Sequence, residues 1–526
     1  MKKFKLYSLA VAASLTMGLT SCGEDFLTEQ PASQLPFDSY YNSYDRIMES
    51  VTAAYHPLQW FDYFAGWAPL NIVWDCQSDD MFVGGGSTSD QSQLHLISQY
   101  KSDPRNSIDG AWTTAYSGIN RSIHVIDNAA NALENGWLTD AQAKELDAEG
   151  RTLRAWYYLM LWKTWGNVPY YEQNLEYPYI TDQLPADEVY AHVVADLEDL
   201  LDANALPMKR EAAWAGRMTQ ASAAMIYADF VMYQKDSSRY AKALGYMKQI
   251  ISSGQYSLVA GAEYDKLFDY EHEWSDEIIL DINFISNGGT RSWGSANNPG
   301  GTVLPALIGI DGLTYENGSA DFNIGGWGFC TISKEVYDAF ESGDLRRDIA
   351  LLNMDTYIAQ KATEGVKVTY GGRYQNTGIF LRKYLGRPGG TDGAKGDADL
   401  NWENNLHLYR YAETLLNAAE LALATGDGSA QGYFDQVRSR AGLPSKVVSE
   451  DAILAERRVE FVGEGKRYFD LVRTGKAASV LTAGGYNVLN TEKTAYTVQG
   501  VPERQNWTES KKYLPIPQSE IEAAQG

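Results

Sequence analysis

The stretch LRAWYYLMLW, residues 153–162, limits the fold more than any other part of the chain. Leu153, Trp156, Tyr157, Met160 and Leu161 recur at helical spacing and mark one apolar face. Tyr158, Leu159 and Trp162 fill the remaining faces, so this helix has to be covered nearly all round. Such a helix belongs in the middle of a multi-helix body. It stops at Gly166-Asn167-Val168-Pro169, a helix-end signature. Ile119, Ile123, Ile126, Ala130 and Leu133 form another stripe, ending near Gly136. Ala221, Ala224, Met225, Ala228 and Met232 mark a further helix, and Asp187–Leu201 another, with Asp187 as N-cap. Tyr240–Ser252, Arg410–Thr425, Ala430–Ala441 and Ser449–Val462 complete the set. Small alanines facing large aromatics in paired helices suggest tetratricopeptide-like hairpins, although a strict repeat of about 34 residues is absent. The expected fold class is therefore mostly α, a helical-hairpin scaffold carrying an irregular, loop-rich ligand-binding region.

The N-terminus reads as an export signal. Lys2, Lys3 and Lys5 precede an apolar run, Leu6 to Leu19, that is short for a membrane span. Leu19-Thr20-Ser21-Cys22 resembles the bacterial lipobox, in which the cysteine is acylated and becomes the first mature residue. The alternative is an ordinary secretory peptide with a chance cysteine. On the lipobox reading, residues 1–21 are a signal peptide, 22–37 a lipid-anchored leader and 38–526 a single domain, with parts at about 38–260 and 261–526. Acyl chains at roughly 0.8 kcal/mol per buried CH₂ would hold Cys22 on a membrane. Gly23-Glu24-Asp25 resembles the surface-export signal of Bacteroidetes lipoproteins. A net charge of −24 argues against broad nucleic-acid affinity and against adsorption to anionic lipid. Cys76 and Cys330 are the other two cysteines. An exported chain could join them, but two free, partly buried thiols are the expected state.

Two segments break the helical pattern. Residues 56–90 mix Trp, Tyr, Pro and Gly, and residues 286–329 hold eleven glycines. A smaller one, Tyr370 to Asn376, is followed by the Gly- and Asp-rich 386–399. Long irregular segments of this kind are usually functional. The chain has 14 Trp, and those at 67, 74, 293 and 327 fall within these segments. An indole offers a flat apolar face that suits the C–H face of a sugar, while polar neighbours fix its hydroxyls. Trp67, Trp74, Trp293 and Trp327 are the expected stacking residues, with Asp80, Arg291, Asn323 and Arg373 as hydrogen-bonding partners.

Catalytic signals are weak. The six histidines make no close pair, and nucleophile-elbow and phosphate-loop motifs are absent. Asp79-Asp80 is the best acid pair, but a glycosidase needs two carboxylates set across the scissile bond. Hydrogen bonding to sugar or plain loop capping suits these two better. Asp397-x-Asp399-x-Asn401-x-Glu403 alternates oxygen donors but lacks the central Gly of an EF-hand, so a solvated acidic loop is expected there rather than a Ca²⁺ site. No catalytic residue, metal or cofactor is assigned. The charge-dense ERRVEFVGEGKRYFDLVRTGK, 456–476, reads as scaffold. Glu456, Glu460 and Glu464 recur at i, i+4 beside Arg457, Arg458 and Arg467, each local pair worth about 0.2–0.5 kcal/mol.

Eight segments in order resemble the SusD/RagB family of outer-membrane lipoproteins. They are 115–129 (AYSGINRSIHVIDNA), 148–171 (AEGRTLRAWYYLMLWKTWGNVPYY), 216–233, 240–258, 410–426 (RYAETLLNAAELALATG), 434–444, 456–473 and 513–521 (YLPIPQSEI). The resemblance implies a SusD-like fold, mostly helical, with variable binding inserts at 56–90 and 286–329. It implies a non-enzymatic protein on the outside of the outer membrane, anchored through Cys22. Such a protein captures glycan and acts as lid to a SusC-like TonB-dependent transporter. A peptide-capturing RagB-like protein is the main alternative, and a surface glycosidase the lesser one.

Overall fold

The computed structural model describes residues 40–64, 69–500 and 504–524. Cys22 and Trp67 lie outside the described residues. Helix α1 (Tyr44–Phe64) packs on α4 (Asp109–Glu134), with α2 (Leu70–Gln77) and α3 (Ser92–Ser98) between them in sequence. From α4 the chain winds through successive packed neighbours: α5 (Asp140–Trp165), α6 (Ala186–Asp202), α7 (Gln220–Gln234) and α8 (Tyr240–Ser252). The next partner of α8 is α9 (Tyr411–Thr425), distant in sequence and adjacent in space. Helices α10 (Ala430–Arg440), α11 (Glu450–Glu460) and α12 (Arg467–Arg473) close the body. The mostly helical frame is thus made by both ends of the chain, and residues 253–410 form an insertion carried on it. Strands are few and short; β1 (Ile278–Ile282) pairs antiparallel with β2 (Leu406–Arg410) and ties the insertion back to α9. Among the described residues no helix is long and apolar enough to cross a membrane.

Helix α5 shows how the pattern produces the core. A reciprocal Thr139–Gln142 capping box starts it, and Gly166 at φ 76° ends it. From Thr152 to Trp165 every residue is buried, as its all-round apolar surface requires. Tyr157 lies over Gly118 of α4, where a Cβ would sit 2.2 Å from the ring. Only glycine permits that approach.

Residues 56–90 depart from expectation. The chain from His56 to Phe64 continues α1, and 70–77 is α2. Pro57 sits inside α1 and cannot donate to the carbonyl of Ala53. Arg121 donates to that carbonyl instead, at 2.9 Å. Leu58, Trp60 and Phe61 are buried, and this burial outweighs the helix-breaking composition. Asp187 lies in the first turn of α6, whose N-cap position is Pro185.

The segment 456–476 is scaffold, but its partners are remote. Glu460 is fully buried and accepts from Arg346 (2.9 Å), Arg410 (2.9 Å) and Arg440 (2.5 Å). Glu464 accepts from Lys383 (2.6 Å) and Arg410 (2.8 Å), while Arg410 and Arg440 also clamp Glu277. Glu456 binds Arg346 and Arg438. These ion pairs join α10, α11, β2 and the insertion, in place of the expected neighbours one turn apart. Burial pushes the Glu464 carboxyl up, but Arg410 and Lys383 outweigh it and hold the group at about 2. Asp470, buried against Arg457 and Arg473, is likewise held at about 2.

Removing Glu460 leaves three arginines facing a vacated buried site. Glu460→Ala is expected to cost about 3–5 kcal/mol in urea unfolding. Glu464 and Asp470 sit below the unfolded carboxylate range near 4. Their stabilisation is complete above that range and is lost as pH falls from about 4 toward about 2. A melting temperature flat across that window would contradict the network.

Candidate functional site

Two loops of the insertion bring Trp293 and Trp327 together. Their rings stack with centroids 5.9 Å apart and planes at 29°. Trp293 is 45% exposed and Trp327 half-buried. Each loop is held by polar groups, buried ones for the Trp293 loop and a half-buried arginine for the Trp327 loop.

Arg291 forms the base of the Trp293 loop. It is 1% exposed and donates to the carbonyls of Ala296 (3.0 Å) and Gln59 (2.9 Å) and to the Asp62 carboxylate (2.5 Å). Asp62 of α1 also accepts from the Val303 N–H at 2.9 Å. From the other side, Asp397 accepts the Trp293 N–H at 2.9 Å, and its own N–H donates to the Arg291 carbonyl at 2.9 Å. Asn401, fully buried, donates to the Arg291 and Asp397 carbonyls at 2.9 and 2.8 Å. Glu403 accepts from the Ser286 hydroxyl. The acidic run 397–403 therefore braces the Trp293 loop. No cluster of three or more His, Cys, Asp or Glu suited to a metal occurs among the described residues.

The Trp327 loop is braced by Arg373, which donates to the Trp327 carbonyl at 2.5 Å and lies 3.6 Å from the Asp90 carboxylate. Gly328, at φ 70°, lets the Arg373 chain pass; a Cβ there would meet it at 2.7 Å. The Trp327 N–H donates to the Ala306 carbonyl at 2.9 Å. Asn323 is half-buried on the same loop and its N–H donates to the Gly386 carbonyl at 2.7 Å. Next to it Ile324 is 61% exposed.

The expected binding residues thus divide. Trp293, Trp327, Asn323 and Arg373 lie on these two loops or against them. Asp80 and Arg291 are buried and do not present themselves to a ligand, which corrects the expectation for them, while Trp74 is half-buried on α2. Trp74 packs edge-on against Phe469, centroids 4.9 Å apart. Asp80 is 1% exposed and takes the Arg458 guanidinium at 2.7 Å. Asp79 binds Arg458 (2.9 Å) and Arg467 (2.8 Å), so the adjacent acids are locked in ion pairs with α11 and α12. Trp67 lies outside the described residues. Sequence reasoning missed the bracing roles of Asp62 and Asp397. Asp62 carried no signal, since its partner is over two hundred residues away, whereas Asp397 lay in a run already marked as unusual.

The site can stack an apolar ring face and supply a few hydrogen bonds at the rim. A model of the SusD family matches residues 333–526. The surface glycan-binding protein A of Bacteroides thetaiotaomicron, solved in complex with laminarihexaose, is 42% identical, with a TM-score of 0.81 over 92% of this chain and 98% of its own. A laminarin-binding SusD-like protein is 27% identical, with a TM-score of 0.78 over 92% of this chain and 98% of its own. A SusD-like protein of Bacteroides ovatus is 24% identical over 90% of this chain and 83% of its own length.

The division between frame and site is measurable. Asp80→Ala leaves Arg458 short of a buried partner and is expected to cost about 3 kcal/mol of stability. Trp293→Ala, at an exposed loop tip, should change it by less than about 0.5 kcal/mol. Equal losses in the two denaturation curves would undo the distinction.

Proposed function

The chain belongs to the SusD family, and on that premise we propose that it is a cell-surface glycan-binding protein that docks a laminarin-type glucan on Trp293 and Trp327. The stacked indole pair on braced loops carries this reading. Its two planes differ by 29°, so successive sugar faces meet them best on a chain that curves. A straight, ribbon-like glucan would satisfy one ring at a time. The relatives that bind laminarihexaose and laminarin support the choice of sugar.

Stacking of C–H faces on indole contributes without any bond being made or broken. The Asp79–Asp80 carboxylates are consumed by Arg458 and Arg467, which supports a binding role and no catalysis. The glycan then passes to a SusC-like TonB-dependent transporter for which the protein acts as lid. Acylated Cys22 tethers it to the extracellular face of the outer membrane. Transfer demands release, so affinity is modest and the loops stay pre-shaped, avoiding a large ordering cost on each cycle.

Titration calorimetry with laminarihexaose tests the site. Trp293→Ala is expected to weaken binding at least about tenfold, or ~1.4 kcal/mol, with the melting temperature nearly unchanged. Malto- and cello-oligosaccharides should bind the wild type less well. Undiminished laminarihexaose binding by both Trp293→Ala and Trp327→Ala would refute the proposed site.

A further inference from the structure

Among the described residues the two most exposed aromatic side chains are Tyr177, at 86%, and Tyr179, at 69%, and Ile180 beside them is 51% exposed. They stand at the tip of the loop that joins α5 to α6, away from the insertion. Their rings meet edge to face, with centroids 6.0 Å apart and planes at 89°. The fold buries neither ring, yet the tip is held. The Tyr179 N–H donates to the Glu176 carbonyl at 2.7 Å. Tyr179 keeps φ 63°, a conformation that bulky side chains rarely adopt. Strain of this kind persists where the direction of a side chain matters. The base of the loop is closed by the antiparallel pairing of Val168 with Leu184 and of Pro169 with Gln183. Asn174 donates to the Asn120 carbonyl of α4 at 3.1 Å, and the Tyr171 hydroxyl donates to the Asn120 side chain at 2.8 Å.

We propose that Tyr177 and Tyr179 form a second stacking subsite for a neutral glycan, on a loop separate from those of Trp293 and Trp327. A phenol ring offers the same kind of apolar face as an indole. Two rings at right angles make a corner, where a pyranose lies on one face and its hydroxyl edge meets the other ring. The surroundings select the ligand. Glu172, Glu176 and Asp182 are exposed on this loop, and no Lys or Arg occurs from residue 164 to 208. An anionic polysaccharide is repelled there, while carboxylates accept hydrogen bonds from neutral hydroxyls. A protein partner suits the tip less well. Three apolar side chains fall far short of the roughly 800 Å² per partner of a standard interface, and acids are depleted at the centre of such interfaces. The two subsites share a support. Asn120 holds this loop, and Arg121, next to it on α4, lies over the Trp60 ring at 4.9 Å. Trp60 in turn donates to the Asn297 carbonyl of the Trp293 loop at 3.2 Å. Both loops thus root on one stretch of α4, and a long glycan that engages both gains avidity.

This inference takes its ligand class from the reading above, and the test keeps the two apart. Laminarin polysaccharide is the probe in affinity electrophoresis, and laminarihexaose in calorimetry. Tyr177→Ala/Tyr179→Ala is expected to weaken laminarin retention at least about fivefold, with laminarihexaose binding and the melting temperature unchanged. The exposed tip makes a folding defect a minor concern, and the melting temperature checks it. Unchanged laminarin retention overturns the second subsite and leaves the Trp293–Trp327 site standing. An equal loss of hexaose and polymer overturns its independence, because the tyrosines then belong to the first site. Intact laminarin retention with lost co-purification of the transporter makes the tip a protein contact and overturns the subsite. If Trp293→Ala/Trp327→Ala leaves laminarin retention intact while the tyrosine pair lowers it, the first site falls and this one stands. A wild-type chain that ignores laminarin overturns both.

Discussion

Glu460 is the centre on which the architecture depends. A carboxylate with no exposure is costly unless cations surround it, and here Arg346, Arg410 and Arg440 do so from three separate parts of the chain. Each arginine is in turn shared with Glu277, Glu456, Glu464 or Asp344. A network of this kind tolerates one arrangement of its elements, because any shift leaves a charge buried and unpaired. It therefore fixes how the insertion of residues 253–410 sits on the helical frame. Gly463 and Gly465, at φ 82° and 73°, turn the chain between α11 and α12 so that Glu464 joins the same cluster.

The paired-indole site inherits its rigidity from that seating. Trp293 and Trp327 stand on loops with no regular secondary structure, and loops of that kind are ordinarily the mobile part of a protein. Here each has a polar anchor: buried Arg291 held by Asp62 for the first, and half-buried Arg373 donating to the carbonyl of Trp327 for the second. The charged side chains near the site thus spend their hydrogen bonds on holding the two loops in position. A division of this kind suits a protein that binds and releases. The apolar contact is adaptable, and the support does not have to form anew each time.

Much of the frame was legible from local pattern. The all-round apolar helix at 153–162 and the glycine stop at Gly166 are short-range signals acting within one or two turns. Residues 56–64 misled, because Pro57 and the aromatic run argue against helix locally while Arg121, from another helix, supplies the missing donor. Three of the eight expected ligand contacts stood in the same position. Trp74, Asp80 and Arg291 have the residue types of a sugar site, and nothing near them in sequence reveals Phe469, Arg458 or Asp62.

By itself the sequence determined a mostly helical body, the places where regular structure gives way to glycine-rich loops, and the scaffold character of 456–476, since periodicity and end signals act between near neighbours. Only the tertiary structure decided which ions pair and that Trp293 and Trp327 meet. Those outcomes depend on contacts between residues far apart along the chain, and such contacts are set by the three-dimensional packing of the whole molecule.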